Sequence, residues 1–310
     1  MDKPVYIVIN PHCHQGQGWK RWLSIQATVL ERFPGAEVIV TATAGELKAH
    51  MSSWLALGQP ATIISAGGDG SVNALVDLLL KSGHAGAQNL VVGAIGLGSS
   101  NDFLKPFKET IQHIPVRITG PAALYDAGLA RFTDSMNHPV ERYFIVNASL
   151  GLTAAANWAF NQPDPVLKVL KRYSTDAAIL YTAARTLWKH RNTKCHVLYD
   201  QVDEMISMSN INILKNPNVS GSFRYPQVIR PDDGALGINI AHDMNRMELL
   251  SMVAGLAKGK FIPGEKKISF SGNTFYLRSA SPVVLECDGE TMLANDIHIS
   301  LVPKAIQILS

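Results

Sequence analysis

Hydrophobic and polar positions give the chain two textures. In the first part, short apolar runs alternate with amphipathic stretches. "VYIVI" (Val5 to Ile9), "EVIVT", "ATIIS" and "LVVGAI" read as strands. Between the first two, Gly18 to Phe33 carries Trp19, Trp22, Leu23, Val29, Leu30 and Phe33 at mostly three-four spacing, with Gln26 as the polar exception. That spacing predicts an amphipathic helix. Glu46 to Leu55 is a second helix, and Val72, Leu75, Val76 and Leu79 mark a third. Strand and helix in turn, with short joints, predict a mostly parallel sheet covered by helices. Ligands of such sheets bind beyond the carboxyl ends of the strands. Asn10, Thr41, Gly67 to Gly70 and Gly96 to Asp102 all fall there.

Beyond about Thr119 the pattern changes. "ERYFIVNASLG", "KCHVLYD", "SMSNINIL", "GALGINIA", "KISFSGNTFYLRSA", "VVLECDGE" and "DIHISLV" read as short strands joined by polar or glycine-containing turns. Two helical stretches interrupt them, roughly Pro165 to His190 and Arg246 to Ala257. In the second, Met247, Leu250, Val253 and Leu256 recur at helical spacing and are expected in the core. The expected organisation is an α/β domain over residues 1–125 and a mainly antiparallel β domain over 126–302. A tail, 303–310, is expected to return to the first domain.

Composition narrows the partners. The 310 residues are 46% hydrophobic and 17% charged, with a formal net charge of +3. This is a globular composition, and the absence of an Arg/Lys tract argues against nucleic acid. Cys13, Cys195 and Cys287 stand far apart, which argues against a disulfide scaffold or a cysteine zinc site. A reducing cytoplasm without a leader peptide is expected. No apolar run reaches about 18 residues, so membrane contact is expected to be peripheral and transient.

The chemistry concentrates in glycine turns that contain acids. Gly67, Gly68 and Gly70 follow one strand and Gly96 and Gly98 follow another, where backbone amides can approach phosphate. Neither turn is a Walker A loop, and neither reads GxGxxG with an acid about twenty residues on. Asp69 would repel bare phosphates but suits a Mg²⁺ ion between them. Its alternative is to cap the helix that begins near Ser71. Asp102 and Asp126 are the other acids that could hold a hydrated Mg²⁺. Asp288-Gly289-Glu290 could supply a base to an attacking hydroxyl, or be a surface hairpin turn. Asp232-Asp233-Gly234 is either a structural cation site or a solvated turn. His12 and His14 organise no metal site, and no HExxH or GxSxG is present. Lys20 and Arg21 are candidates to help with phosphate near the Asn10 loop.

Taken together, "VINP" (Val8 to Pro11), "GGDGSVN" (Gly67 to Asn73), "GLGSSNDF" (Gly96 to Phe103), "YFIVNASLG" (Tyr143 to Gly151), "PDDGALGINI" (Pro231 to Ile240) and "ECDGE" (Glu286 to Glu290) resemble the diacylglycerol kinase catalytic-domain family. That family includes bacterial diacylglycerol kinases, YegS-like lipid kinases and sphingosine kinases. NAD kinases and phosphofructokinases share GGDG on a similar first domain. The resemblance implies two domains, the second a β-sandwich, with ATP and Mg²⁺ as cofactors. It implies nucleotide contacts at Asn10, Thr41, Gly67, Gly68, Asp69, Gly70, Asn73, Gly98, Ser99, Asn101 and Asp102. It implies a Mg²⁺-water network at Asp69, Asp102 and Asp126, a catalytic base at Asp288 beside Glu290, and a structural Mg²⁺ at Asp232 and Asp233 with the Leu236 carbonyl. The implied reaction is transfer of the ATP γ-phosphate to a lipid hydroxyl, diacylglycerol-like or sphingoid, at a membrane surface. Trp158, Phe160, Trp188 and Phe261 are candidates for a lipid-facing rim. The alternatives are a kinase of a non-lipid hydroxyl acceptor such as NAD, or a nucleotide- or lipid-binding protein without turnover. A homodimer stays open. The chain departs from the family pattern at Ala74, where an acid is usual, at Gly96 and Ser99 in the second turn, and in the first loop, "NPHCHQGQG".

Overall fold

The computed structural model describes residues 3–173 and 175–310. The chain divides into two compact units, Met1–Ala127 with Val302–Ser310, and Gly128–Leu301.

The first unit contains β1 (Val5–Ile9), α1 (Cys13–Gly16), α2 (Gly18–Arg32), β2 (Glu37–Val40), α3 (Ala44–Leu57), β3 (Ala61–Gly67), α4 (Asp69–Lys81), β4 (Leu90–Gly96), β5 (Glu109–Ile111) and β6 (Ile114–Arg117). β1 lies between β2 and β3, and β3 pairs with β4, all in parallel. The outer edge of β4 is divided. Val91 and Val92 face Gln307 and Ile308 in a parallel pairing, whereas Ala94 and Ile95 face Arg117 and Val116 antiparallel. β5 and β6 form an antiparallel hairpin around Gln112 and His113, both at positive φ (46° and 65°).

The expected fold class, a mostly parallel first sheet, is therefore corrected. The first sheet is mixed, and apart from β1 to β4 and the stretch at Gln307–Ile308 the assigned strand registers are antiparallel. The physical reason lies in the β5–β6 turn. Two consecutive left-handed residues make a primed hairpin turn, which normally announces itself as Asn-Gly or Asp-Gly. Gln-His carries no such signal.

The helices bury narrower faces than the spacing predicts. α2 buries Trp22, Ile25 and Val29, while Trp19 and Leu23 are exposed. α3 starts on Thr43, whose side chain accepts from the Glu46 N–H, while the Glu46 carboxylate takes the Ala42 N–H at 2.7 Å.

The second unit holds β8 (Pro139–Phe144), β9 (Asn147–Gly151), α5 (Leu152–Asn161), α6 (Pro165–Tyr173), α7 (Thr175–Lys189), β10 (Thr193–Tyr199), β11 (Val202–Leu214), β12 (Asn218–Val219), β13 (Phe223–Arg224), β14 (Leu236–His242), α8 (Arg246–Leu256), β15 (Lys267–Gly272), β16 (Thr274–Ser279) and β17 (Val283–Cys287). Two long strands, β7 (Ala122–Thr133) and β18 (Glu290–Leu309), contribute residues to both units. β15, β14, β11, β10 and β16 follow one another antiparallel, and β9 joins β11 to β17. Inward residues of these strands and of β8 and β18, among them Phe144, Leu150, Ile211, Ile238, Phe275, Leu285 and Ile299, form one core. α8 corrects the expected stripe. Met247 and Leu250 are exposed, and the buried face is Leu249, Met252 and Leu256. Its capping box, Asn245 with Glu248, sets the start of that helix.

Candidate active site

In the first unit the two glycine turns are stitched together at the ends of β3 and β4. The Gly67 carbonyl accepts from the Leu97 N–H (2.8 Å) and the Gly98 N–H (3.2 Å). Gly68 and Gly98 meet backbone to backbone, and a Cβ on Gly98 would stand 2.5 Å from the Gly68 Cα. Any side chain there would force the turns apart. Asn101, at φ 51°, fixes the second turn. Its side-chain oxygen accepts from the Gly98 N–H (3.1 Å) and its amide donates to the Gly96 and Gly98 carbonyls (3.2 and 3.1 Å).

Asp69 is the first residue of α4. The helix cap is Gly68, so Asp69 does not cap it. Its Oδ1 instead accepts from the Phe103 N–H at 2.9 Å. Part of the residue stays open to solvent. Burial and the Asp102 carboxylate push its pKa up to about 6, against the amides of Phe103 and Asp102. Asp102 is buried and pairs with the Lys105 ammonium at 2.8 Å. Two crowded acids beside converging amides suit a hydrated divalent cation, which would relieve their repulsion.

The other expected contacts surround this point unevenly. The Asn10 amide donates to the Ser71 hydroxyl (3.0 Å), and the Asn10 side-chain oxygen takes the His12 N–H (3.0 Å). Thr41 and Asn73 are buried, Gly70 is half-buried and Ser99 is exposed. The Thr41 N–H bonds the Ile9 carbonyl at 2.9 Å. Asp126 is buried in β7 and accepts from the Lys304 N–H at 2.9 Å. Among the described residues no group of three or more His, Cys, Asp or Glu forms a metal cluster. Arg21 is placed more centrally than its sequence signal suggests. Its guanidinium donates to the Gly98 carbonyl at 2.9 Å and the Gly96 carbonyl at 3.3 Å. Its position one turn into α2 is the trace this leaves in the sequence.

In the second unit Asp288 and Gly289, at φ 46° and 93°, form the two-residue turn between β17 and β18. The turn is a hairpin, yet Asp288 is 3% exposed. Its Oδ2 accepts from the Ile145 N–H (2.8 Å), and its Oδ1 from the Val146 (3.0 Å) and Asn147 (2.8 Å) N–H groups. Burial pushes its pKa up to about 7, the three amides opposing and Glu286 adding to the rise. Glu286 is itself buried and accepts from Asn147, the Ser149 hydroxyl and the Gly289 N–H. Glu290 is exposed.

The Asp232–Asp233 turn is occupied by a side chain. The Lys215 ammonium donates to the Arg230 carbonyl (3.2 Å), Asp233 Oδ1 (2.9 Å) and the Ala235 carbonyl (2.9 Å). Asp232 is exposed, and Leu236 is buried in β14. These residues do not fit a structural Mg²⁺, whose place the ammonium takes.

Residues 4–130 match the diacylglycerol kinase catalytic domain, and residues 148–310 match the YegS C-terminal NAD kinase beta sandwich-like domain. No curated protein sequence matches the chain. Among solved structures, a diacylglycerol kinase from Bacillus anthracis str. Sterne is similar with a TM-score of 0.66 at 13% identity, over 99% of this chain and 96% of that one. A chain from the same organism, provisionally designated a diacylglycerol kinase, gives 0.71 at 14% identity over 99% and 97%. Yeast NADH kinase complexed with NADH gives 0.50 at 13% identity over 99% and 82%.

Proposed function

Because the chain belongs to the family of diacylglycerol kinase catalytic domains with a YegS-type C-terminal domain, we propose that it transfers the γ-phosphoryl group of ATP to a lipid hydroxyl. The observation that carries this reading is Asp69 at the junction of two stitched glycine turns, partly open and crowded by Asp102. Mg²⁺ bound through water to these acids would neutralise the developing phosphoryl charge. The backbone at Gly67, Gly68, Gly70 and Ser99 faces the polyphosphate, with Gly98, whose own N–H is taken within the turns, letting the two turns close and Asn10, Thr41 and Asn73 as polar neighbours. Asn101 and Arg21 hold the second turn in shape by occupying its carbonyls. Arg21 also brings positive charge to the turn. Asp126 is assigned to the cation's water network. Asp288 is the proposed base, with a pKa of about 7 suited to take a hydroxyl proton near neutrality.

A lipid acceptor at a membrane surface is supported by the second unit's helices. On α6, Val166, Val169 and Tyr173 are 50%, 56% and 80% exposed beside an exposed Lys168. On α7, Trp188 is exposed against the Arg246 guanidinium at 5.0 Å. Phe261, by contrast, is buried against Tyr225. Residues 165–191 hold six basic residues and one acid, leaving 22 basic against 24 acidic residues elsewhere. This stretch therefore accounts for the chain's positive charge. An apolar helix face within a basic stretch of sequence suits an anionic bilayer. No helix among the described residues is long and apolar enough to cross a membrane. Replacing Val166 and Val169 together by serine is expected to weaken binding to phosphatidylglycerol-containing vesicles roughly tenfold. Transfer to a water-soluble short-chain acceptor should be unchanged. Vesicle co-sedimentation reads this directly, and unchanged binding would move the membrane face elsewhere.

The deciding experiment is ATP turnover with Mg²⁺ on mixed micelles of diacylglycerol, monoacylglycerol, a sphingoid base and a phospholipid, with NAD as the soluble control. Label entering one lipid supports the proposal and names the headgroup. Label entering NAD alone overturns the lipid assignment.

A further inference from the structure

Lys215 follows β11 directly, and its backbone N–H bonds the Val146 carbonyl at 2.8 Å. Its side chain is 1% exposed. A lysine is buried this deeply only where its charge is matched. The match comes from the 230–235 loop. Two carbonyls and a carboxylate oxygen converge on the ammonium. Asp233 serves both sides of the loop, since its Oδ2 takes the Arg230 N–H (2.9 Å) and its Oδ1 the Ala235 N–H (3.3 Å). Burial would raise the Asp233 pKa, but Lys215 and these amides hold it below the usual carboxylate range.

Two carbonyls and one carboxylate are the oxygen types that hold a hard cation. Here they stand at hydrogen-bond distance from nitrogen, 2.9 to 3.2 Å. The ammonium nitrogen thus already stands at the point from which a cation would draw on these three oxygens. Asp232 is exposed, and Leu236 is buried within the β14 ladder opposite Gly272.

We infer that Lys215 is the resident cation of the 230–235 loop and that this chain holds the loop without a divalent metal. The ammonium is covalently part of the chain, so the loop keeps its shape in chelator. The inference concerns this loop alone and does not depend on the phosphate acceptor.

Thermal unfolding of the full chain tests it, without nucleotide, in EDTA, in Mg²⁺ and in Ca²⁺. The wild-type midpoint should be the same in EDTA and in Mg²⁺. Lys215→Met should lower the midpoint in EDTA by about 10 °C, because it leaves Asp233 and two carbonyls without their cation. Added Ca²⁺ or Mg²⁺ should recover part of that loss, and Lys215→Met combined with Asp233→Asn should abolish the recovery. A wild-type midpoint that falls in EDTA and returns with Mg²⁺, with the response removed by Asp233→Asn, would overturn the inference. So would a Lys215→Met chain as stable as wild type, or one that gains nothing from either cation. Should Lys215→Met not fold, lysine-ammonium NMR of the wild type decides. One ammonium with protected protons, unmoved by Mg²⁺, supports the inference, and loss of that protected signal as Mg²⁺ is added overturns it.

Discussion

Replacing Asp69 by asparagine is expected to slow phosphoryl transfer roughly 10²- to 10³-fold, the usual loss when one charge-stabilising group is removed from a reacting site. The same variant should be more stable than wild type at neutral pH in the absence of nucleotide. Asparagine keeps an oxygen for the Phe103 N–H but carries no charge to oppose Asp102. The sign follows from the raised pKa. The unfolded chain releases the Asp69 proton near the ordinary carboxylate pKa, whereas the folded chain retains it until about pH 6. Wild-type stability is therefore lost as pH rises through that window, and the loss persists above it. Its size is up to roughly 3 kcal/mol at 1.36 kcal/mol per pKa unit. Denaturation of both proteins from pH 4 to pH 8 should show the gap opening and then levelling. A variant that turns over within about tenfold of wild type would remove Asp69 from the proposed cation site.

Asp288→Ala is expected to destabilise the second unit strongly. It strands the N–H groups of Ile145, Val146 and Asn147 without acceptors. At about 1 kcal/mol or more for each stranded donor, the loss is at least roughly 3 kcal/mol, or about 10 °C in midpoint. Asp288→Asn separates structure from chemistry. Its oxygen can serve two of the amides, so most of the stability should remain. If Asp288 is the base, wild-type kcat/KM falls as pH drops through about 7, and in Asp288→Asn a slower rate loses that limb. An Asp288→Asn enzyme with wild-type rate and pH profile would confine the carboxylate to holding residues 145–147 in place.

The sequence carries the parts of this molecule that repeat or that need a special backbone. The runs from Val5 to Gly96 show all four strands, which are near-continuous apolar runs, and the three longer helices, α2 to α4, but not the four-residue α1. The turns Gly67–Gly70 and Gly96–Asn101 were legible because backbones approach there more closely than a Cβ permits. Which side of α2 is buried was less legible. Trp19 and Leu23 have the right chemistry and nearly the right spacing, but Ile25 takes the buried place. The same slip by two positions separates Met247 and Leu250 from Leu249 and Met252 on α8. The Gln112–His113 hairpin turn lacks turn residues, so the antiparallel edge of the first sheet left no mark. Single long cations were the least legible. Arg21 is marked only by its place near the Asn10 loop and Lys215 by nothing in the order of residues, because each acquires its role from carbonyls supplied by a distant loop.

The first unit is not contiguous in the chain, and this bears on how the protein is made. Val91 and Val92 at the edge of β4 acquire their parallel neighbour only from Gln307 and Ile308. A ribosome must therefore translate the whole of Gly128–Leu301 before that edge can be covered. Until then the nascent first unit presents an apolar strand margin to the cell, as would any fragment ending before Val302. Holdase chaperones are expected to engage this interval of synthesis, and dissection of the gene into separately expressed halves should yield a first half that aggregates unless residues 302–310 are grafted onto it.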